Sequence, residues 1–480
     1  MSNFEVIEIN DLIKADYNPR FLSDEAFSEL KNSVKKLGCI KPIIVNKNNN
    51  TIIAGHQRTK SLKAIGINKV HAFFVKNITK QDEVRFNQFH NLCEVAIKSV
   101  QPVIKININK SQKNNEFFIV KNEDINILNS GEMGAVIQEL SNLINKYGNF
   151  ANAIVNNKGD VVISAPYALA IKLLGKDLEA YKLNDSNIKF AKNAFSQDYG
   201  VFNYDNVPKE TFAQGFAQKW RLRNNKKTGL KSKGSNSTLY KNCVIPNINK
   251  KMRILDFGAG NMDYSNYLSN QGYNIKAIEF YKRKKGCNVI DYNSVLKDFD
   301  EIKKDVIENG LYDVVVCDSV LNSVDSTEAE LSVLKTLNIF CKSKGTIYWS
   351  GIGRLYAQTK NNLKTTSKQN TNLKFLDENG FSASFRNGRW FYQKYHTLKQ
   401  INNLNDNIIS DSVKVIGDTK KSSFQCYSLA EIKKLSNEEM FKALKFEFSL
   451  PLPNGNSYTI FNDNIDFFNL LIKLKNNDKI

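Results

Sequence analysis

Arg253-Ile254-Leu255-Asp256-Phe257-Gly258-Ala259-Gly260 decides the fold of the C-terminal half of this chain. An apolar run closes on an acid, a glycine-spaced turn follows, and Tyr264 to Leu268 continues with helical character. Glycine tolerates positive φ and puts no Cβ between backbone and ligand, so this pattern reads as the start of a nucleoside-binding βαβ unit. A second apolar segment, Ile275-Lys276-Ala277-Ile278-Glu279, ends on another acid about twenty residues later, where such folds hold a ribose hydroxyl. A dinucleotide fingerprint would need glycine in place of Asp263, so the turn is not built for the pyrophosphate of NAD or FAD.

Asp256-Phe257-Gly258-Ala259-Gly260 resembles the first motif of class I S-adenosylmethionine-dependent methyltransferases, and the resemblance runs from about Met252 to Tyr356. It implies a Rossmann-like sheet, with Tyr312 to Asp318 as strand four and Gly345 to Trp349 as strand five. It also implies that Asp256, Gly258 and Gly260 wall the methionine end of the cofactor, that Glu279 anchors the ribose, and that Asp291 lies at the adenine. The reacting group in this family comes from the loop after strand four, which here reads Asp318-Ser319-Val320-Leu321-Asn322-Ser323-Val324. Asp318 and Asn322 are the candidate catalytic residues: at i and i+4 of a helix, a carboxylate and an amide share one face and can orient an acceptor. The alternative for Asn322 is a cap on the following helix. No Pro-Pro-aromatic follows Asp318, unlike in amino methyltransferases of DNA, and Cys317 follows valine rather than the proline of cytosine C5 enzymes. Cys317 therefore reads as a small buried residue. The Ser-Val-Leu-Asn-Ser-Val run looks like that of methyltransferases joined to ParB-like domains in mobile elements and phages.

Downstream, Gly388-Arg389-Trp390-Phe391-Tyr392-Gln393-Lys394-Tyr395-His396 mixes aromatics with cations. Alternating aromatics make a β-strand. They also suit stacking on bases beside phosphates, with Trp390 the candidate platform.

Toward the N-terminus, Phe27, Leu30, Val34 and Leu37 recur at helical steps until Gly38. Strands at Ile43 to Val45 and Thr51 to Ala54 flank an Asn-rich turn, and His71 to Val75 reads as another. Asn18-Pro19-Arg20, Ile40-Lys41-Pro42-Ile43 and Ile53-Ala54-Gly55-His56-Gln57-Arg58 resemble the ParB/sulfiredoxin-like α+β fold over residues 1–94. Arg58 beside a glycine at a helix N-terminus makes an anion pocket of backbone amides and a guanidinium, to which Arg20 adds a second. The resemblance implies a nucleotide or phosphate site of Asn18, Arg20, Gly55, His56 and Arg58, with a nucleoside triphosphate as a candidate ligand. Gly-His-Gln-Arg stands where chromosome-partitioning proteins carry a Gly-Glu-Arg-Arg type box.

The 480 residues exceed one core, and 41% hydrophobic content supplies several. We expect an α/β and α+β multidomain protein. Its parts are the ParB-like domain (1–94), a mixed helical middle region (95–210), a basic connector (211–250), the methyltransferase-like domain (251–400) and a C-terminal extension (401–480). In the middle, Ala135 to Ile144 and Ala165 to Leu174 read as helices and Asp160 to Ser164 as a strand. The tail reads as a hairpin of Phe446 to Leu450 and Ser457 to Phe461, then a helix from Ile465 to Leu474. No run of eighteen apolar residues and no signal-like start occurs, so a cytoplasmic chain without membrane contact is expected. Seven scattered cysteines without C-x-x-C, and four histidines, point away from disulfides and from a metal site.

Net charge is +20, and every charged residue from Thr211 to Leu255 is Lys or Arg. Arg221, Arg223, Lys226, Lys227, Lys231 and Lys233 form its centre, among Gly, Ser and Asn. Such a surplus points to a polyanion, nucleic acid and DNA first. The leading expectation is a methyltransferase acting on nucleic acid. The alternatives are a nucleotide-dependent DNA-binding protein with an inactive methyltransferase-like domain, and a methyltransferase of small molecules.

Overall fold

A computed structural model describes residues 4–18, 20–22, 24–80, 82–84, 86–87, 102–109, 111–131, 134–194, 201–202, 204, 207–209, 237–284, 289–354, 376–386, 389–417 and 423–478. Two compact units result, one essentially 1–207 and the other formed mainly by 208–359 and 389–480. The basic residues Arg221, Arg223, Lys226, Lys227, Lys231 and Lys233 lie outside the described residues.

In the N-terminal unit, β1 (Phe4–Glu8), β2 (Ile43–Asn46), β3 (Ile52–Ala54) and β4 (Lys69–Val75) form one sheet in the order β1-β4-β2-β3. β2 runs parallel to β4 and the other pairs are antiparallel. The helix predicted from the Phe27–Leu37 spacing is α1 (Asp24–Leu37), with acids in its first turn and lysines in its last, as the helix dipole favours. The second helix, α2 (His56–Ala64), starts directly after Gly55, whose φ of 98° reverses the chain at the end of β3.

The middle region is less helical than its sequence suggests. β5 (Glu116–Val120), β6 (Ala153–Val155), β7 (Val161–Ile163) and β8 (Leu178–Lys182) form a second four-stranded sheet, flanked by α3 (Gly134–Tyr147) and α4 (Ala165–Leu173). It is not a separate body. Ile44, Phe73 and Val75 of the first sheet share one buried core with Leu140, Ile144, Ala168 and Leu178. Continuous apolar contact of this kind joins the two sheets as one packed interior.

In the C-terminal unit a six-stranded sheet carries the site. β9 (Arg253–Phe257), β10 (Asn274–Ile278), β11 (Tyr312–Cys317), β12 (Cys341–Ile352), β13 (Val413–Ile416) and β14 (Ser423–Ser428) lie in the order β10-β9-β11-β12-β14-β13. The first four are parallel, and β14 runs antiparallel to both its neighbours. α5 (Asp263–Asn270), α6 (Tyr292–Asn309) and α7 (Thr327–Phe340) make the crossovers. From β9 the chain steps outward to β10, then returns past β9 to β11. That reversal is a topological switch point, and ligands of open α/β sheets bind outside the strand carboxyl ends there.

Two boundaries move. Leu239, Tyr240, Cys243 and Val244, placed in the connector by composition, are buried against Ile254, Tyr264 and Leu268. The tail is integral as well, because β13 and β14 complete the sheet. The expected tail hairpin is corrected: Phe446 and Glu447 end α8 (Asn437–Glu447), and Ile460–Asp463 is a short helix. Ser436 and Glu439 form a capping box at the start of α8, and Met440, Ala443 and Leu444 give it a buried face. What remains of the hairpin is the Pro451↔Ser457 bridge and two backbone bonds, Tyr458 donating to the Leu450 carbonyl at 3.0 Å and Phe461 to the Phe448 carbonyl at 3.2 Å. The last helix, α9 (Ile465–Asn477), brings Phe468 to 5.9 Å from Phe299 and 4.8 Å from Phe448, ring centre to ring centre.

Candidate active site

The carboxyl ends of β9, β10 and β11 place Asp256, Glu279 and Asp318 around the switch point. Asp256, next to last in β9, is 3% exposed, and its Oδ2 accepts from the Ser265 hydroxyl at 2.5 Å, fixing the carboxylate against α5. Gly258 (φ 73°) and Gly260 (φ 61°) make the turn. A Cβ on Gly258 would lie 2.3 Å from Val320 Cγ2, so only glycine fits between the turn and the loop after β11.

The amides of that turn face inward. Gly258 and Ala259 both donate to the Ile278 carbonyl, at 2.9 and 3.0 Å. Gly260 donates to Glu279 Oε2 at 2.8 Å, and Tyr281 donates to Oε1 of the same carboxylate at 3.0 Å. With these donors committed, the turn offers no cradle for a diphosphate. It keeps an acid, Glu279, whose carboxylate is acceptor-only and of the kind that binds vicinal hydroxyls. The residues present thus fit a nucleoside without phosphates.

Around Asp256 and Asp318 runs a small cleft lined also by Tyr240, Ala259, Asn261, Asp263 and Tyr264. Tyr240 stacks on Tyr264 at 4.3 Å with rings 4° from parallel. Burial, reinforced by the charges of Asp256 and Asp318, holds the Tyr240 phenol well above its usual pKa, so it stays neutral. Sequence reasoning missed Tyr240. Its signal was the Leu239, Tyr240, Cys243, Val244 spacing, hidden inside a stretch dominated by charge.

On the acceptor side the expected helical pairing is corrected. Ser319 takes φ 63° and only a single 3₁₀ turn, Val320–Asn322, follows, so Asp318 and Asn322 do not share a helix face. Nor does Asn322 cap the next helix, since Ser326 caps α7 by accepting from the Ala329 amide. Instead Asp318 Oδ1 accepts from the Ser350 hydroxyl at 2.7 Å and from Ser319 Oγ at 3.0 Å. Asn322 Oδ1 accepts from the Ile352 amide at 2.7 Å. Both candidate residues are therefore pinned to the end of β12, where Ser350 was not foreseen. Asp291, expected at the adenine, caps α6 by accepting from the Ser294 amide at 3.3 Å.

Trp390 does not form a platform. It lies in the strand Arg389–Lys394, as the alternation predicts, but is only 5% exposed. Six residues on, His396 is fully buried, with Nε2 2.6 Å from Glu330 Oε1, while Lys394 Nζ lies 3.4 Å from Glu330 Oε2. Burial lowers the His396 pKa and outweighs its partner, so the ring is neutral and Nε2–H donates. The His396 amide donates to the Ile352 carbonyl at 2.9 Å, bracing the same end of β12.

In the N-terminal unit, Gly55, His56 and Arg58 come together at the start of α2, but not as a set of surface cations. The Ala15 amide donates to His56 Nε2 at 3.2 Å. Burial, then the charges of Lys14 and Arg58, push the His56 pKa down to about 3, so the ring is neutral and adds no charge to an anion site. Arg58 is 5% exposed and Asn18 9% exposed.

Known proteins resemble the two parts separately. Residues 1–92 match the ParB N-terminal domain and residues 236–386 match a methyltransferase domain. The chain therefore carries a ParB N-terminal domain fused to a methyltransferase domain. The chromosome-partitioning protein ParB of Campylobacter jejuni, so named on probability, is 35% identical over 101 residues. That match spans 20% of this chain and about a third (35%) of the relative's own length. Among solved structures, a SAM-dependent methyltransferase from Methanosarcina mazei is 16% identical, covers 40% of this chain and 98% of its own, and has a TM-score of 0.26. A Pnob8-like ParB-N domain is 18% identical, covers 29% of this chain and 45% of its own, and has a TM-score of 0.17. Among the described residues no helix is long and apolar enough to cross a membrane, and no group of His, Cys, Asp or Glu side chains could hold a metal ion.

Proposed function

We propose that this chain transfers a methyl group from S-adenosylmethionine to nucleic acid, DNA in the first instance. The observation that carries the reading is the convergence of Asp256, Glu279 and Asp318 on one switch point whose turn amides are closed to phosphate. When bound, the cofactor supplies an electrophilic methyl on a positively charged sulfur. Glu279 takes the ribose hydroxyls, oriented by the Gly260 and Tyr281 amides it already holds. Asp256, set by Ser265, faces the methionine ammonium, and Gly258 and Gly260 let the backbone approach. Asp291 sits beyond Glu279 on the adenine side.

Asp318, fixed by Ser319 and Ser350, orients the acceptor amine or hydroxyl and takes its proton, while the Asn322 amide sets the acceptor's angle. Arg221, Arg223, Lys226, Lys227, Lys231 and Lys233 supply phosphate contacts. The turn at Gly55 with Arg58, together with Asn18 and Arg20, takes a phosphate or a nucleoside triphosphate. The test is methyl label from S-adenosylmethionine offered to duplex DNA, single-stranded DNA and a small-molecule extract. Label in DNA that Asp318→Ala abolishes supports the reading, and label confined to the extract moves the acceptor to a small molecule.

A second reading, a nucleotide-dependent DNA-binding protein whose methyltransferase domain no longer turns over, is favoured by one observation. The Asn322 carbonyl is committed to the β12 backbone, and Asp318 carries two hydroxyl donors before any acceptor arrives. DNA binding with cofactor bound and no label in any acceptor would select it.

A further inference from the structure

A cavity of about 1240 Å³ opens in the N-terminal unit between α1, α2 and the edge formed by β5 and β8. Its walls are fixed. Lys41, 1% exposed, donates to Ser164 Oγ at 2.6 Å, and Asn152 Nδ2 donates to the Ile40 carbonyl at 3.0 Å. Both bonds join the first sheet's side of the unit to the second's, above a shared core. Val34, Leu62 and Val70 form an apolar floor, and Phe117 faces it with 49% of its surface exposed. Apolar surface of this kind is costly to leave in water.

The charged groups on the rim do not neutralise one another. Lys31 and Lys35, one helical turn apart on α1, meet no carboxylate among the described residues. The third rim lysine, Lys69, is taken by Glu8 at 3.2 Å. The Glu179 carboxyl, on β8, lines the opposite wall without a hydrogen-bond or ion-pair partner among the described residues. Burial raises its carboxyl pKa with no cation to offset the effect. Two free ammonium groups, an apolar bed and a lone acceptor together describe a ligand. We propose that this cleft binds an amphipathic organic anion: its acidic head meets Lys31 and Lys35, its apolar body lies on Val34, Leu62 and Phe117, and an N–H or O–H on that body donates to Glu179.

The inference stands apart from the methyl-transfer reading and survives its failure. It is tested on the full chain by fluorescence titration with 8-anilinonaphthalene-1-sulfonate, which combines a sulfonate with an apolar body and so reads the lysine and apolar parts of the site. N-phenyl-1-naphthylamine, the same body without the sulfonate, is the comparison probe. One saturable site is expected. Lys31→Glu with Lys35→Glu should weaken the sulfonate about tenfold and leave the neutral probe unchanged. Ala64→Trp, placing an indole from an exposed position into the cleft, should abolish binding of both probes. Ile67→Glu, at a cleft position 42% exposed, should weaken both and stands in if the tryptophan variant misfolds. Far-UV circular dichroism and the thermal melt of each variant should match the wild type. Absence of saturable binding, or binding indifferent to the charge reversal and to both cleft substitutions, overturns the proposal.

Discussion

Gly55 and Gly258 both turn a strand toward a helix through the left-handed region, at φ 98° and 73°, yet the two turns expose different chemistry. After Gly258 the amides are taken by the Ile278 carbonyl and by Glu279, so the turn presents carboxylates and bare backbone. After Gly55 the first helical residue is a histidine kept neutral by burial, beside a buried arginine. In the function proposed above, the first arrangement takes an uncharged sugar and a cationic methyl donor and the second an anion. The same glycine-to-helix pattern therefore carries opposite electrostatic preferences, decided by which side chains satisfy the amides around it.

The largest separation between the two sites should come from Glu279→Ala. Losing a carboxylate held by two amides should weaken S-adenosylmethionine binding about a hundredfold by calorimetry. Arg58→Ala should leave that affinity unchanged, and a loss in both variants would break the distinction between the sites. Gly258→Ala should destabilise the C-terminal unit by about 1–3 kcal/mol, since positive φ combines with a 2.3 Å approach to Val320. Gly55→Ala meets its nearest atom, Ile43 Cγ1, only at 3.2 Å, and its smaller cost should appear in the N-terminal unit alone. Limited proteolysis with thermal melts reads both.

pH sharpens the contrast further. Burial, then the Asp325 charge, raises the Glu447 pKa from 4.5 to about 8. Below the unfolded value the carboxyl is protonated in both states. Between the two values the folded state alone keeps the proton, so stability falls as pH rises through this window. Glu447→Gln should therefore match wild type near pH 4 and exceed it at pH 8 by about 4 kcal/mol in denaturant titrations. Unchanged stability at pH 8 would show that the carboxyl ionises freely. The smallest effect per residue belongs to the connector. Replacing Lys226, Lys227, Lys231 and Lys233 by serine should reduce the slope of log DNA affinity against log salt by about 3–4, from about −5 if some six cations meet phosphates. An unaltered slope would assign DNA contact to other residues.

Much of this was legible in the sequence, for physical reasons. β9, β10, β11 and the start of the fifth strand could be read because buried parallel strands are nearly continuous apolar runs, each closing here on an acid or a turn. Of the middle sheet, β7 was read as the strand Asp160 to Ser164, but β5 and β8 were not, because they place Glu116, Glu179 and Lys182 among their apolar residues. Phe446 to Leu450 alternates like a strand, yet the capping box ten residues upstream and the 440, 443, 444 spacing win. Spacing brought Asp318 and Asn322 forward, but one residue at positive φ, Ser319, ended the helix that would have paired them. Ser350 lay beyond local reading altogether, since only the pairing of β11 with β12 brings it to Asp318. For Trp390 the strand was legible and the direction of its side chain was not, because alternation does not say which face is covered.

The most direct test of the switch-point site is photolabelling with methyl-labelled S-adenosylmethionine under ultraviolet light, followed by peptide mapping. The account predicts label on peptides containing Tyr240, Tyr264 or Tyr281, competed by S-adenosylhomocysteine and lost in Glu279→Ala. Label confined to the N-terminal unit, or label that S-adenosylhomocysteine does not displace, would contradict it.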